Sequence, residues 1–109
     1  MVWVVAAGET IVGYTRTCWW SDTDDLPPRT VKLHALYIDP ADMGQGVGSM
    51  LLERSVATAR EASASGMALW TPQDLENTRR FYERHGWRSD PVWTKPWRGT
   101  TEVRYRLGL

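Results

Sequence analysis

Several things are scarce in this 109-residue chain, and each scarcity excludes something. Cysteine occurs once, as Cys18, so no internal disulfide can form. With nothing beside it to activate the thiol, Cys18 is expected to be a small buried hydrophobe rather than a nucleophile. Neither sign of charge is in excess. The 13 basic and 13 acidic residues cancel, which leaves no electrostatic grip on nucleic acid or a membrane surface. No apolar run approaches membrane-spanning length. The opening Met1-Val2-Trp3-Val4-Val5 has no basic segment leading into a long apolar one, so no signal peptide is read and the expected location is the cytoplasm. There is no internal repeat, low-complexity tract or linker. The length suits one domain, residues 1–109, around one core.

Tryptophan, by contrast, is abundant, at seven residues. Packing in the core and at its rim is the expected use. Trp19-Trp20, Trp93 and Trp97 fall in or beside expected loops, where lining a pocket or marking a partner surface is the alternative.

Along the chain, Val2–Ala7 and Thr10–Trp20 are β-rich runs about a tight turn at Gly8-Glu9, which predicts a hairpin. Ser21–Arg29 is polar, acidic and proline-bearing, hence a loop. Its aspartates, Asp22, Asp24 and Asp25, are expected to be solvated, with attraction of a cationic acceptor as the alternative. Thr30–Ile38 predicts a central strand, being too apolar in its second half for clean alternation. From Val47 to about Ala64 the pattern is helical, with Val47, Met50, Leu51, Val56, Ala59 and Ala62 on one face. Gly66 is read as its stop. Met67–Thr71 is a short buried strand ended by Pro72, which makes a parallel βαβ unit. A second helix follows, with Asp74 as its N-cap and Gly86 as its left-handed terminator, then Trp87 as an apolar anchor. Val92–Trp97, Arg98-Gly99 and Thr101–Leu107 form a last hairpin. The order is β-β-β-α-β-α-β-β, a mixed α/β (α+β) sheet with helices.

The chemistry concentrates between Val31 and Arg60. An apolar strand ends at Asp39-Pro40, and Gly44, Gly46 and Gly48 alternate just before the first helix. Glycines let backbone N–H groups approach a large anion, and a helix N-terminus adds partial positive charge, so a phosphate-bearing ligand is the reading. A Walker loop is excluded because no lysine follows the glycines. The dinucleotide fingerprint is missed because Ser49 stands where its third glycine belongs. The alternative is that the glycines only permit a tight strand-to-helix turn.

Leu33-His34-Ala35-Leu36-Tyr37-Ile38-Asp39-Pro40, then Met43-Gly44-Gln45-Gly46-Val47-Gly48 and Leu51-Leu52, resemble the acetyl-CoA motif of the GNAT-superfamily N-acetyltransferases. The family pattern is (Q/R)-x-x-G-x-(G/A) after an L-Y-V-x-P strand end. Phe81-Tyr82-Glu83-Arg84-His85-Gly86-Trp87 is similar to the family's F-Y-x-x-x-G-(F/W) segment. Three positions depart from it. Met43 replaces the usual Arg or Gln, Leu75 stands where the family often has asparagine (Asn77 is nearby but out of register), and the family's opening strand and two helices have no counterpart here.

The resemblance implies a GNAT-like fold that binds acetyl-CoA as acetyl donor. The pantetheine arm would lie between the strands ending near Ile38 and Thr71. The backbone N–H groups of Leu36, Ile38, Gln45, Gly46, Val47, Gly48 and Ser49 would hold the pyrophosphate end. Tyr82 would give a proton to the departing thiolate, with half-buried packing as the alternative role. His34 is the candidate base, because imidazoles titrate near neutrality, although a lone strand histidine also serves as structure. For His85, in the last turn of the second helix, capping is the competing role. No metal site is read.

The function implied is acetyl transfer to a primary amine of a small molecule or peptide. The rival is a catalytically silent module that binds CoA or a partner. A start codon further upstream is a third possibility. Missing helices would leave apolar sheet exposed, which predicts a homodimer.

Overall fold

A computed structural model describes all residues from Met1 to Leu109. Six strands form one mixed sheet in the spatial order β1-β2-β3-β4-β6-β5. They are β1 (Val2–Ala7), β2 (Thr10–Trp19), β3 (Thr30–Ile38), β4 (Gly66–Pro72), β5 (Arg88–Trp97) and β6 (Thr100–Gly108). Helix α1 (Val47–Glu61) crosses between β3 and β4, and α2 (Glu76–Arg84) between β4 and β5. The element order read from the sequence is the one observed, and β3 is interior to the sheet.

Both helices pack on one face. Leu52 and Ala59 of α1 and Tyr82 of α2 share a buried cluster with Val31, Leu33, Met67, Leu69, Val103 and Tyr105 of the sheet and with Trp87. The buried stripe of α1 is Leu51, Leu52, Ser55 and Ala59, the i, i+1, i+4, i+8 spacing of one helix face. It differs from the expected stripe at Met50 and Ala62, which are exposed. Ser55 is buried because its hydroxyl shares a 2.8 Å hydrogen bond with Thr15 of β2.

The caps were partly misplaced by the sequence pattern. Helix α1 ends at Ala62, and Ser63 takes the left-handed turn, with φ of 59°. Gly66 instead opens β4, where a Cβ would lie 3.0 Å from the Leu107 carbonyl oxygen, so its glycine answers a close strand approach. Helix α2 is capped by Leu75 without a side-chain hydrogen bond, while Asp74 accepts one from the Thr100 hydroxyl at 3.3 Å. Gly86 does take the left-handed conformation, with φ of 87°, and Trp87 behind it is buried.

Two irregularities set up the site. On β3, Ala35 pairs with Arg16 and Leu33 with Thr17, so His34 is an extra, bulged residue. The bulge breaks the alternation and turns Leu36 and Ile38 to the helical face, where Val31 and Leu33 already point. Between β3 and β4 the parallel ladder runs for three rungs only, Thr30–Gly66, Val31–Met67 and Lys32–Ala68. Beyond Lys32 the strands part. A gap between two parallel strands therefore opens toward their C-terminal ends, beside the N-terminus of α1.

Candidate active site

The turn from β3 into α1 starts at Asp39, whose carboxylate accepts from the Ala41 N–H and caps a single 3-10 turn over Pro40–Asp42. Gly44 and Gly46 follow, each with φ of 80°, a conformation in which a side chain would be strained. Gly46 is the N-cap of α1, so no side chain satisfies the first turn. The first backbone bond of the helix is Met50 N–H to Gly46 C=O. The N–H groups of Gln45, Gly46, Val47, Gly48 and Ser49 consequently donate to no backbone or side-chain acceptor in the protein. Five adjacent unpaired donors at a helix N-terminus form an anion cradle.

These donors border open space. A cavity of about 290 Å³ is lined by Ile38, Asp42, Met43, Gly44, Gly46, Gly48, Ser49, Phe81 and Arg84. A second, also about 290 Å³, adjoins it and is lined by Leu36, Ile38, Met43, Gly48, Asn77, Thr78, Phe81 and Tyr82. One is polar at the glycine turn, and the other is apolar along the parted strands. Gly48 lies between them, and a Cβ there would make ordinary contact with the Phe81 ring at 3.5 Å. No side chain fills the cradle itself, since a Cβ at Gly44 or Gly46 would meet nothing within 4 Å. The residues present thus fit an elongated ligand with an anionic middle and a narrow uncharged arm.

Tyr82 sits at the inner end of the apolar cavity. Its ring is packed against Trp87, Tyr105 and Phe81, with centroids 5.7, 6.3 and 5.3 Å away. The hydroxyl makes no hydrogen bond within the protein. Burial pushes its pKa up to about 12, so the phenol is protonated throughout the neutral range. Helix α2 is held in place by Tyr105, whose hydroxyl donates to Glu83 at 2.7 Å and accepts from Arg79 Nε at 3.0 Å.

Other candidates separate from this group. His34 is exposed and without a hydrogen bond, at the β3 bulge. His85 is the C-cap of α2. Its Nδ1 lies 2.9 Å from the Phe81 carbonyl oxygen, which can only accept, so this nitrogen carries the proton and the ring is a cap. Cys18 is exposed, contrary to expectation; it pairs with Lys32, so its side chain lies toward the sheet face that carries no helix. It borders an apolar groove of about 350 Å³ with Trp19, Val31 and Ala62, far along β3 from the glycine turn and without a row of free donors.

Of the loop aspartates, Asp24 is exposed and unpaired, as expected for a solvated side chain, whereas Asp22 and Asp25 are engaged. Asp25 receives both terminal nitrogens of Arg104, at 2.9 and 2.7 Å, and Asp90 receives one at 2.6 Å. Arg104 is fully buried under Trp93 and Trp20, with ring centroids 4.8 and 5.8 Å from its guanidinium carbon. Asp22 accepts from Lys32 Nζ at 2.7 Å and from Trp70 Nε1 at 2.8 Å. Trp20 stacks on Trp70 at 5.8 Å. Residues Trp20–Asp25 are therefore strapped over the face of the sheet that carries no helix. Trp20 and Trp93 serve this strap, whereas Trp97 stays largely exposed with Arg98 over its ring.

Four lining residues were not among the candidates read from the sequence: Asp42 and Thr78, and Asn77 and Arg84, which were named without a place in the site. Arg84 follows Tyr82 by two positions in the quoted segment, and its guanidinium makes no ion pair or hydrogen bond. The signal available was the vacancy at Met43, which calls for a cation from another element.

A cradle of backbone donors that opens onto a gap between parallel strands can hold the phosphates of an elongated ligand whose arm enters the sheet. A family model describing an acetyltransferase (GNAT) domain matches residues 1–89, and the chain belongs to that family. Its fold is similar to that of Ard1 from Thermoplasma volcanium, with a TM-score of 0.83 and 19% identity over 97% of this chain and 69% of that one. It is similar to the ribosomal-protein-alanine N-acetyltransferase of Brucella melitensis, with a TM-score of 0.82 and 18% identity over 99% and 68%. YncA of Salmonella typhimurium, solved with its cofactor acetyl-CoA, gives a TM-score of 0.81 and 23% identity over 99% and 64%. No curated protein matches the sequence.

Proposed function

We propose that the chain is an acetyl-CoA-dependent N-acetyltransferase that moves the acetyl group directly to a primary amine of a small molecule or peptide. The observation that carries this reading is the run of five unpaired N–H groups, Gln45 to Ser49, at the mouth of the gap between β3 and β4. Acetyl-CoA supplies an activated acyl thioester. Every other part of the chemistry falls to the chain.

The amides of residues 45–49 hold the pyrophosphate without side-chain entropy cost. The β4-facing edge of Leu36 and Ile38 has lost its ladder, so those residues offer backbone groups to the pantetheine arm. Arg84 contributes the positive charge that Met43 cannot, from across the same cavity. Tyr82 donates its proton to the leaving thiolate; burial keeps the phenol protonated at neutral pH, as any phenol is, and makes it a weaker acid, so its role rests on position in the apolar cavity. His34, exposed at the bulge, takes the amine's proton. On the helix-free face Val2, Val4, Tyr14 and Tyr37 are exposed apolar residues, which supports self-association as a homodimer. No helix is long and apolar enough to cross a membrane.

Calorimetric titration with acetyl-CoA, followed by a panel of small amines and peptides with detection of released thiol, tests the reading. Binding with turnover on at least one amine is expected. Binding without turnover on any amine would contradict the catalytic half, and no binding would contradict all of it.

A further inference from the structure

We propose that Lys32 is an internal acetyl acceptor, the chain moving an acetyl group from its own bound donor onto the Lys32 ε-amine. This rests on the acetyl-CoA reading above. The chain has only two lysines, Lys32 and Lys95; its other 11 basic residues are arginines, which are not acetylated in this way.

Lys32 occupies the last rung of the β3–β4 ladder, opposite Ala68. An arm threading the gap between the strands must stop where the ladder closes, because strands paired at about 4.8 Å leave no passage. The closure at Lys32 is thus the furthest point that the reactive end of the arm can reach. Val31 and Leu33 on either side point into the helical core, which places the Lys32 side chain on the opposite face. There its ammonium is held under the strap, 2.7 Å from the Asp22 carboxylate and 5.9 Å from the Trp20 ring centroid. Asp22 also accepts from Trp70 of β4, so one carboxylate bridges the two strands just where they part. A primary amine on a flexible four-carbon stem is thus kept at the apex of the gap, only 16% exposed to solvent.

The step balances without another reactant. The ammonium loses one proton to solvent, and the neutral nitrogen attacks the thioester carbonyl carbon. The new C–N bond forms as the C–S bond breaks. CoA leaves as the thiol with a proton from Tyr82, and the second ammonium proton restores the phenol. The product is an uncharged N-acetyl-lysine. Asp22 then keeps its Trp70 hydrogen bond but loses its ion pair, so the strap is loosened over the face from which an external amine would enter.

Peptide mass spectrometry of the intact chain incubated with acetyl-CoA is the test. Reaction governed by solvent access alone favours Lys95, whose side chain is 39% exposed. Positioned transfer predicts the reverse, with Lys32 labelled at least about ten-fold faster than Lys95, at a rate per chain independent of protein concentration. The preference should vanish in urea, and Lys32 labelling should slow in Tyr82→Phe. Labelling dominated by Lys95, equal labelling, or a rate that climbs with chain concentration would overturn the proposal. Parallel calorimetry separates the two readings. Acetyl-CoA binding without Lys32 labelling sinks only the internal acceptor, whereas absence of binding removes the donor reading as well. Lys32→Arg should bind acetyl-CoA unchanged and release thiol only at the uncatalysed rate when no amine is added. Release undiminished in that variant would also count against Lys32.

Discussion

Tyr82 and Arg84 lie two residues apart on α2 and serve opposite ends of the cavity pair. Tyr82 is buried among aromatic rings with an unshared hydroxyl, and Arg84 is solvent-facing and unpaired beside the glycine turn. If the phenol is the proton donor, Tyr82→Phe lowers kcat by about 10²-fold, the lower end for a positioned general acid, with acetyl-CoA affinity little changed. Because burial holds the pKa near 12, the wild-type rate shows no alkaline loss from Tyr82 ionisation below about pH 11, which a pH–rate profile checks. An unchanged kcat in the phenylalanine variant would assign Tyr82 to packing alone. Arg84→Ala is expected to weaken acetyl-CoA about ten-fold, the equivalent of ~1.4 kcal/mol for a charge-assisted contact. Pantetheine, which lacks the pyrophosphate, should bind both proteins alike. Equal losses for both ligands would mean that Arg84 does not meet the phosphates.

Among the elements, the strap Trp20–Asp25 is the one whose stability depends on acid. The hydrogen bonds from Arg104 hold the Asp25 carboxyl well below the usual carboxylate range. For Asp22, burial alone would raise the pKa, but hydrogen bonds from Lys32 and Trp70 outweigh it and leave it lowered. A carboxylate depressed in the folded state contributes stability that is present above its unfolded value, near pH 4, and lost as pH falls through the folded value. The urea midpoint should therefore drop below about pH 4, with a shallower acid limb in Asp25→Asn. Identical limbs would dissociate the strap from acid lability. None of this could be read from the sequence, because Asp25 and Arg104 are 79 residues apart and composition does not show which acid meets which base.

What was legible is local. Periodicity marked both helices, Arg98-Gly99 marked the final turn, and the glycine spacing marked the cradle. Register was not legible. The His34 bulge, the three-rung ladder and the close approach at Gly66 arise from strand neighbours, so the sequence pattern misassigned the stop of α1. Cys18 was misjudged for the same reason, since its exposure depends on the register that sets it opposite Lys32.

In the whole molecule, one face of the sheet carries both helices and the other carries the strap and an apolar stretch. Val2, Val4 and Ile11 are each more than half exposed there. Light scattering at micromolar concentration is expected to give the mass of a dimer rather than 12.5 kDa, and a clean monomer would contradict self-association. The central claim concerns the other end of the gap, where five consecutive amides wait for an acceptor. Amide-resolved nuclear magnetic resonance during a titration with CoA addresses it directly. The Gln45, Gly46, Val47, Gly48 and Ser49 amide protons are expected to move downfield together, saturating with the calorimetric affinity. Unmoved amides at 45–49 in a chain that binds CoA would contradict that claim.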